Sequence, residues 1–114
     1  MIRPGKLDLL MLQGATFTYQ LAWTADDEPV DLTGFEARMQ VRPNTRSDTV
    51  IIEFTDVDGI TLGGDEGTIL LSADAETTAG LPSGKYVYDL ELDSGGEVTR
   101  LVEGSFTIDA EVTR

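Results

Sequence analysis

The chain contains no cysteine and no histidine, and only 8 of its residues are lysine or arginine. Without cysteine no disulfide can form, and without thiolate or imidazole the commonest zinc ligands and catalytic bases are missing. The serines have no imidazole to activate them, so few routes to catalysis remain for a protein of this size. We therefore expect a protein that is not an enzyme and that holds no cofactor.

Positive charge is also scarce. The 8 basic residues stand against 21 acidic ones, which gives a net charge of −13. Nucleic-acid backbones and anionic membrane surfaces attract basic residues, so we expect neither as a partner. No apolar run reaches the length of a membrane span, and the N-terminal segment does not resemble a signal peptide. These features predict a soluble protein made in the cytoplasm.

Apolar and polar residues alternate along several segments of the chain. In the segment 35–42, Phe35, Ala37, Met39 and Val41 fall on one face and charged or polar residues on the other. Period-two alternation is typical of half-buried antiparallel strands, and turn residues separate such segments about every ten residues. The pattern predicts one all-β domain over 1–114, a single antiparallel β-sandwich of about 7–9 strands.

The turns and one helix carry specific signals. The glycines in 63–67 and 93–97 predict hairpins, and 31–34 predicts a single turn that buries Leu32. One short helix is expected near residues 74–80, since Asp74 can cap its N-terminus while Gly80 and Pro82 end it. The apolar run 50–52 predicts a strand segment buried on both sides.

The inward positions of the strands define an expected core. We expect Phe17, Trp23, Tyr86 and Tyr88 to pack together across the two sheets. Gly104 should lie at a bulge or under a bulky neighbour, because glycine otherwise weakens a strand. The complete expected core comprises Phe17, Tyr19, Leu21, Trp23, Phe35, Met39, Tyr86, Tyr88, Leu90 and Phe106.

Acidic residues beside two glycine turns are candidates for a calcium site. They are Asp56, Asp58, Asp65 and Glu66. Their order lacks the third acidic ligand and the closing glutamate of a calcium loop, and turns select Asp and Gly for their own geometry. The turn interpretation is therefore favoured over a metal site.

Two sets of residues are candidates for contacts with other proteins. Residues 1–6 form the first, as an extended basic arm that is helped by an edge strand, with a frayed terminus as the alternative. Basic residues on and after the strand 35–42 form the second, with a solvated ladder that includes Glu36 as the alternative. The interface candidates are Arg3, Lys6, Leu7, Leu9, Met11, Arg38, Arg42 and Arg46.

The order of several motifs resembles that of small structural proteins of tailed bacteriophages. It is similar to the immunoglobulin-like N-terminal domain of phage upper baseplate proteins. The motifs are Gln-Gly-Ala-Thr-Phe (13–17), Leu-Ala-Trp-Thr (21–24), Pro-Val-Asp-Leu-Thr-Gly-Phe-Glu-Ala-Arg-Met-Gln-Val-Arg (29–42), Leu-Pro-Ser-Gly-Lys-Tyr-Val-Tyr-Asp-Leu-Glu-Leu (81–92) and Glu-Val-Thr-Arg (111–114).

This resemblance implies a virion protein, made in the host cytoplasm, that docks on a phage scaffold in the tail or baseplate and helps to anchor or organise fibres. Its partners would be other phage structural proteins, and it would be present as a homo-oligomer or in multiple copies. A capsid decoration (cement) protein is the alternative within the same class. A carbohydrate-binding module for host surface sugars is the alternative from another class. In that case the aromatic residues would form a platform, although their alternating positions favour core packing.

Overall fold

The segments with period-two alternation form β-strands in the computed structural model, which describes residues 5–113. In the strand over 36–42, Ala37, Met39 and Val41 are buried, while the residues between them are more exposed. The strands are β1 (Gly5–Lys6), β2 (Leu9–Leu12), β3 (Phe17–Ala22), β4 (Thr24–Ala25), β5 (Glu28–Pro29), β6 (Glu36–Arg42), β7 (Ile52–Thr55), β8 (Ile60–Leu62), β9 (Thr68–Ala73), β10 (Gly84–Ser94) and β11 (Glu97–Asp109).

Most strands belong to two sheets with the core between them. The large sheet has the order β1-β11-β10-β6-β7, with β2 also paired to β11, and the small sheet has the order β3-β9-β8. Strands β4 and β5 form a separate hairpin. The pairs are antiparallel, except that β1 and β2 run parallel to β11. The predicted all-β, immunoglobulin-like sandwich is confirmed.

The N-terminal segment lies on the large sheet as two short strands, β1 and β2. Gly5 and Lys6 form β1 and pair with β11. The predicted arm is therefore wrong for these two residues, because backbone hydrogen bonds to β11 hold them on the sandwich. The remainder of the arm, residues 1–4 with Arg3, lies outside the described residues.

Leu7 and Asp8 separate β1 from β2 beside Gly104. The carboxylate of Asp8 accepts a hydrogen bond from the N–H of Ser105, with 3.0 Å between the atoms. A Cβ built on Gly104 would lie 2.2 Å from the carbonyl oxygen of Leu7. Gly104, expected at a bulge or under a bulky neighbour, instead lies directly under the backbone of Leu7, and the bulge of β11 is at Leu101.

The core between the sheets is built around Phe106. Its ring centroid lies 5.8 Å from that of Phe17 in the small sheet and 6.0 Å from that of Tyr88. Such tilted and edge-on contacts are the favoured geometries of aromatic pairs. Among the expected core residues, Phe17, Met39, Tyr88, Leu90 and Phe106 are buried, whereas Leu21, Trp23, Phe35 and Tyr86 are partly exposed and pack against the core.

Three expectations about burial are wrong. Tyr19 remains 38% exposed, because β3 is the edge of the small sheet and no strand covers its outer side. Trp23 packs edge-on against Phe35, with 6.2 Å between ring centroids, and does not join the Phe17 cluster, since it lies beyond the end of β3. Val50, expected to be buried, is 39% exposed because the chain becomes a strand only at β7.

The turn and helix predictions are confirmed. A single 3-10 turn, Gly64–Glu66, joins β8 to β9, and two glycines with positive φ join β10 to β11. Leu32 is buried as expected. The helix α1 spans Ala75–Ala79, and the carboxylate of Asp74 accepts a hydrogen bond from the N–H of Thr77. Within residues 5–113, no helix is both long and apolar enough to span a membrane.

Candidate interaction surface

The outer face of the large sheet collects most of the basic side chains in this acidic protein. Within residues 5–113, the one basic residue away from this face is Arg46, in the loop that follows β6. We call this surface the charged face. It presents Lys6, Arg38, Arg42, Lys85 and Arg100 together with the acidic residues Glu36, Glu53, Asp89, Glu91 and Glu103.

The register between β6 and β10 places opposite charges next to each other. Met39 and Leu90 pair on the core side, so their neighbours Arg38 and Glu91 pair on the outer side. Each cross-strand pair of opposite charge stabilises a sheet by roughly 0.2–1 kcal/mol. The alternation that predicted the core therefore also determines the composition of this face.

Arg100 reaches the charged face because β11 contains a bulge. Leu90 pairs with Val102, but the next residue, Glu91, pairs with Arg100, so Leu101 is the extra residue. A bulge of one residue resets the alternation of side chains along a strand. Arg100 therefore lies on the same outer face as Glu103.

Ion pairs and hydrogen bonds connect the side chains of this face. Arg100 lies 3.5 Å from Asp89 and 3.5 Å from Glu103, and Lys6 also binds Glu103. The hydrogen bond from Lys6, and then the charges of Lys6 and Arg100, lower the pKa of Glu103 below its ordinary value.

A second group of contacts lies at the β6–β7 end of the face. Glu53 accepts hydrogen bonds from Gln40 and Arg38, which lower the pKa of its carboxyl group in that order. Arg42 donates to the side chain of Gln40 at 2.7 Å and to the carbonyl of Ser47 at 2.7 Å. Within residues 5–113, no carboxylate lies within ion-pair distance of Arg42, and each of its three guanidinium nitrogens donates to Gln40 or Ser47.

A groove of about 660 Å³ crosses the charged face. Arg38, Arg42 and Arg100 line it together with Asp89 and Glu91. Arg38 and Arg100 are exposed and the other three are partly exposed, and guanidinium and carboxylate groups of this kind form charge-assisted hydrogen bonds.

The structure places the predicted interface residues in three different environments. Arg38 and Arg42 share the charged face, as predicted, with Lys6 beside them and Arg46 in the adjoining loop. Leu7 is partly buried against the core.

The expectation that Leu9 and Met11 contact another subunit is wrong. These residues pair with Phe106 and Ile108 in the parallel ladder, and they face inward with them. Their side chains are buried in the core, while Leu10 and Leu12 face outward and are 58% and 50% exposed.

Arg100 and Lys85 also belong to this surface, although neither was an interface candidate from the sequence. For Arg100 the signal was the apolar pair Leu101-Val102, which interrupts the alternation of the last strand and marks the bulge. For Lys85 the signal was its spacing of two and four residues from Val87 and Asp89, which places the three on one face of β10.

The calcium candidates lie in two separate turns. Asp56 and Asp58 lie between β7 and β8, and Asp65 and Glu66 lie in the following 3-10 turn. The carboxylate of Asp56 accepts a hydrogen bond from the N–H of Ala37, at 3.1 Å, which is a structural role. Across residues 5–113, no three acidic side chains come together as a set of metal ligands.

Comparisons with known proteins identify similar folds. No family model matches the chain, and no curated protein matches it in sequence. The N-terminal domain of phage TP901-1 ORF48 matches with a TM-score of 0.53 and 12% identity, over 96% of this chain and 90% of that one.

Two other solved structures are similar at lower TM-scores. CopC from Methylosinus trichosporium OB3b matches with a TM-score of 0.49 and 15% identity, over 93% of this chain and 89% of that one. The extracellular domain of the voltage-gated sodium channel beta4 subunit matches with a TM-score of 0.40 and 12% identity, over 98% of both chains. At these identities the similarity concerns the fold alone.

Proposed function

We propose that the protein is a non-enzymatic structural component of a tailed-bacteriophage virion. It docks on a phage scaffold in the tail or baseplate region and helps to anchor or organise fibres. The observation that carries this proposal is the similarity to a phage N-terminal domain along nearly the whole length of both chains. The motifs that resemble upper baseplate proteins, from 13–17 to 111–114, support the same assignment independently of the structure.

The charged face is the surface we assign to docking. The chain as a whole repels acidic partners, because its net charge is −13. On the charged face, however, basic and acidic side chains are interspersed, so a polar protein surface can approach without strong repulsion from this side. Arg42 offers a guanidinium without a carboxylate partner among the described residues, and it fits a carboxylate on the scaffold.

Locating the protein in purified particles tests the assignment. Particles of the phage that encodes the chain would be separated into heads and tails, and each fraction would be probed with an antibody against the protein. We expect the protein in tails, and antibody-labelled electron micrographs should place it at the baseplate end. Its presence in heads alone would support a capsid decoration protein, and absence from particles would overturn the proposal.

Charge variants test the docking surface. Arg42→Ala and Arg100→Ala each remove one positive charge from the charged face, and Thr61→Glu makes the same change in net charge on the exposed side of β8. We expect both arginine variants to reduce incorporation into particles, while Thr61→Glu leaves it unchanged. Thermal unfolding shows that each variant is folded. Equal incorporation of all three would assign docking to another surface.

A further inference from the structure

The longest stretch of the chain without a charged residue runs from Leu9 to Ala25, between Asp8 and Asp26. This is unusual in a protein of which 25% is charged. The stretch contains β2 and β3 and the turn that joins them. β2 lies at the edge of the large sheet and β3 at the edge of the small sheet. β2 and β3 are therefore edge strands without a charged residue, although β1, which carries Lys6, also lies at this edge of the large sheet. We call β2 and β3 together the uncharged side.

The outer edge of β3 presents backbone groups that no strand of the described chain binds. The N–H of Trp23 donates to the carbonyl of Gly67 at 2.8 Å, at the start of the ladder with β9. In an antiparallel ladder, each residue directs its N–H and its C=O to the same side of the strand, and the next residue directs both to the opposite side. The odd-numbered residues of β3 therefore bind β9, and Thr18, Gln20 and Ala22 direct their N–H and C=O groups away from the sheet.

β3 lacks the features that usually protect an edge strand. Natural edges are shortened, or they carry charged residues, proline or bulges. β3 is six residues long and regularly paired, with none of these residues. The edges on the opposite side differ, because β8 has three residues and β7 carries Glu53.

Apolar side chains are also exposed on the uncharged side. Tyr19 of β3 is 38% exposed, although it lies on the inner face of its sheet. Leu10 and Leu12 of β2 are exposed to a larger extent, but on the outer face of the large sheet, away from the edge of β3. A further strand beside β3 would cover the ring of Tyr19 and pair the free backbone groups.

We propose that β3 pairs with β3 of a second copy of this chain, antiparallel and around a twofold axis. Identical strands can pair in this way because the contact is self-complementary, and the two small sheets then form one continuous sheet. The charge distribution favours a second copy on this side. Outside the charged face, where basic side chains are interspersed, contact between two chains of net charge −13 would bring acidic side chains together, whereas residues 9–25 bring no charged side chain into the contact. This inference does not depend on the proposed virion function.

The salt dependence of association tests the proposal, because it separates the uncharged side from the charged face. Sedimentation velocity would be measured up to about 1 mM protein, in NaCl from about 0.01 M to about 1 M, over which the Debye length falls from roughly 30 Å to roughly 3 Å. We expect a monomer–dimer equilibrium that strengthens as salt screens the mutual repulsion. Association that weakens with salt would indicate ion pairing through the charged face, and would overturn the proposal. A monomer under all conditions would also overturn it.

A matched pair of variants tests the position of the contact. Gln20→Lys and Thr61→Lys add the same charge to exposed positions at opposite edges of the small sheet. In the Gln20→Lys dimer the two new lysines lie close together across the twofold axis. Their repulsion should raise the dissociation constant of the dimer by about tenfold. Thr61→Lys should not weaken it, and an equal loss in both variants would contradict the assignment.

Gln20→Pro provides an independent test of the strand pairing. It removes an N–H that points away from β9, so the fold remains intact while strand pairing is blocked. Circular dichroism verifies that the variant is folded. A folded Gln20→Pro variant that dimerises like the unchanged protein would exclude pairing through β3.

Discussion

The hydroxyl of Tyr88 donates a hydrogen bond to the carbonyl of Leu7, with 2.6 Å between the two oxygens. Tyr88 lies in β10, and Leu7 lies between β1 and β2. Gly104 of β11 pairs with Tyr88 and contacts Leu7. Burial, and then the nearby carboxylate of Asp8, raises the pKa of the Tyr88 hydroxyl above its ordinary value. The hydroxyl therefore stays protonated and holds the first strand on the large sheet.

Tyr88→Phe should destabilise the protein. The substitution keeps the ring but leaves the carbonyl of Leu7 without its donor, so the free energy of unfolding should fall by about 1–3 kcal/mol. Urea denaturation followed by fluorescence measures it. Tyr19→Phe is the control, because the Tyr19 side chain is substantially exposed and its loss of a hydroxyl should change stability by less than about 0.5 kcal/mol. Equal effects of the two variants would contradict the role of Tyr88.

Gly104→Ala should also destabilise the protein, by about 1–3 kcal/mol, because the new methyl group forces the Leu7 backbone away from β11. Gly104→Val should cost at least as much. Gly80→Ala is the control, since a Cβ there has its nearest contact at 3.7 Å, an ordinary van der Waals distance. Thermal unfolding compares the three variants. A Gly104→Val protein as stable as the unchanged chain would refute the close approach of Leu7.

The side chain of Tyr86 binds the turn before β10 and packs against the edge of the core. Its hydroxyl donates to the carbonyl of Pro82 at 2.8 Å, and its ring lies close to Gly84. Tyr86→Ala should lower the free energy of unfolding by on the order of 3 kcal/mol. An unchanged urea midpoint would show that the assigned environment of Tyr86 is wrong.

The contact between Tyr86 and Gly84 predicts a coupling between two substitutions. A Cβ on Gly84 would lie 3.0 Å from the Tyr86 hydroxyl. Gly84→Ala should therefore be more destabilising in the unchanged protein than in Tyr86→Ala, where the ring is absent. A double-mutant cycle from urea denaturation measures the difference. Strict additivity would mean that only the positive φ of Gly84, and not the ring, opposes the substitution.

The cap of α1 should make a pH-dependent contribution to stability. Hydrogen bonds from the hydroxyl and the backbone N–H of Thr77 lower the pKa of Asp74 below its ordinary value of 3.8. A lowered folded-state pKa stabilises the protein above the unfolded value, and this contribution is lost as the pH falls through the folded-state pKa. Asp74→Ala should lower the thermal midpoint at neutral pH and have little effect well below pH 3.8.

A control separates the cap from a general effect of removing negative charge. Asp48 is exposed in the loop before β7 and serves for comparison. Asp48→Ala should leave the thermal midpoint at neutral pH nearly unchanged, because the residue caps no helix. Destabilisation of both variants to the same extent would argue against a capping role for Asp74.

Part of the charged face could be inferred from the sequence, and part could not. Arg38 and Arg42 were identified because they follow the period-two alternation of a regular strand. Arg100 has the wrong parity for the same face, and only the bulge at Leu101 brings it there. Lys6 reaches the face through a parallel pairing with β11 between residues nearly a hundred positions apart, for which the local sequence has no signal.

The sequence by itself determined the strands, the turns and the capped helix of this protein, because these depend on local preferences: alternation in 36–42, glycines with positive φ at 95 and 96, and a carboxylate at Asp74. Only the tertiary structure decided which strands are edges. That choice exposes Tyr19, buries Leu9 and Met11, and brings Tyr88 to Leu7 across Gly104. Edges depend on pairing between distant segments, and the free energy of such pairing is shared among residues that lie far apart in the chain.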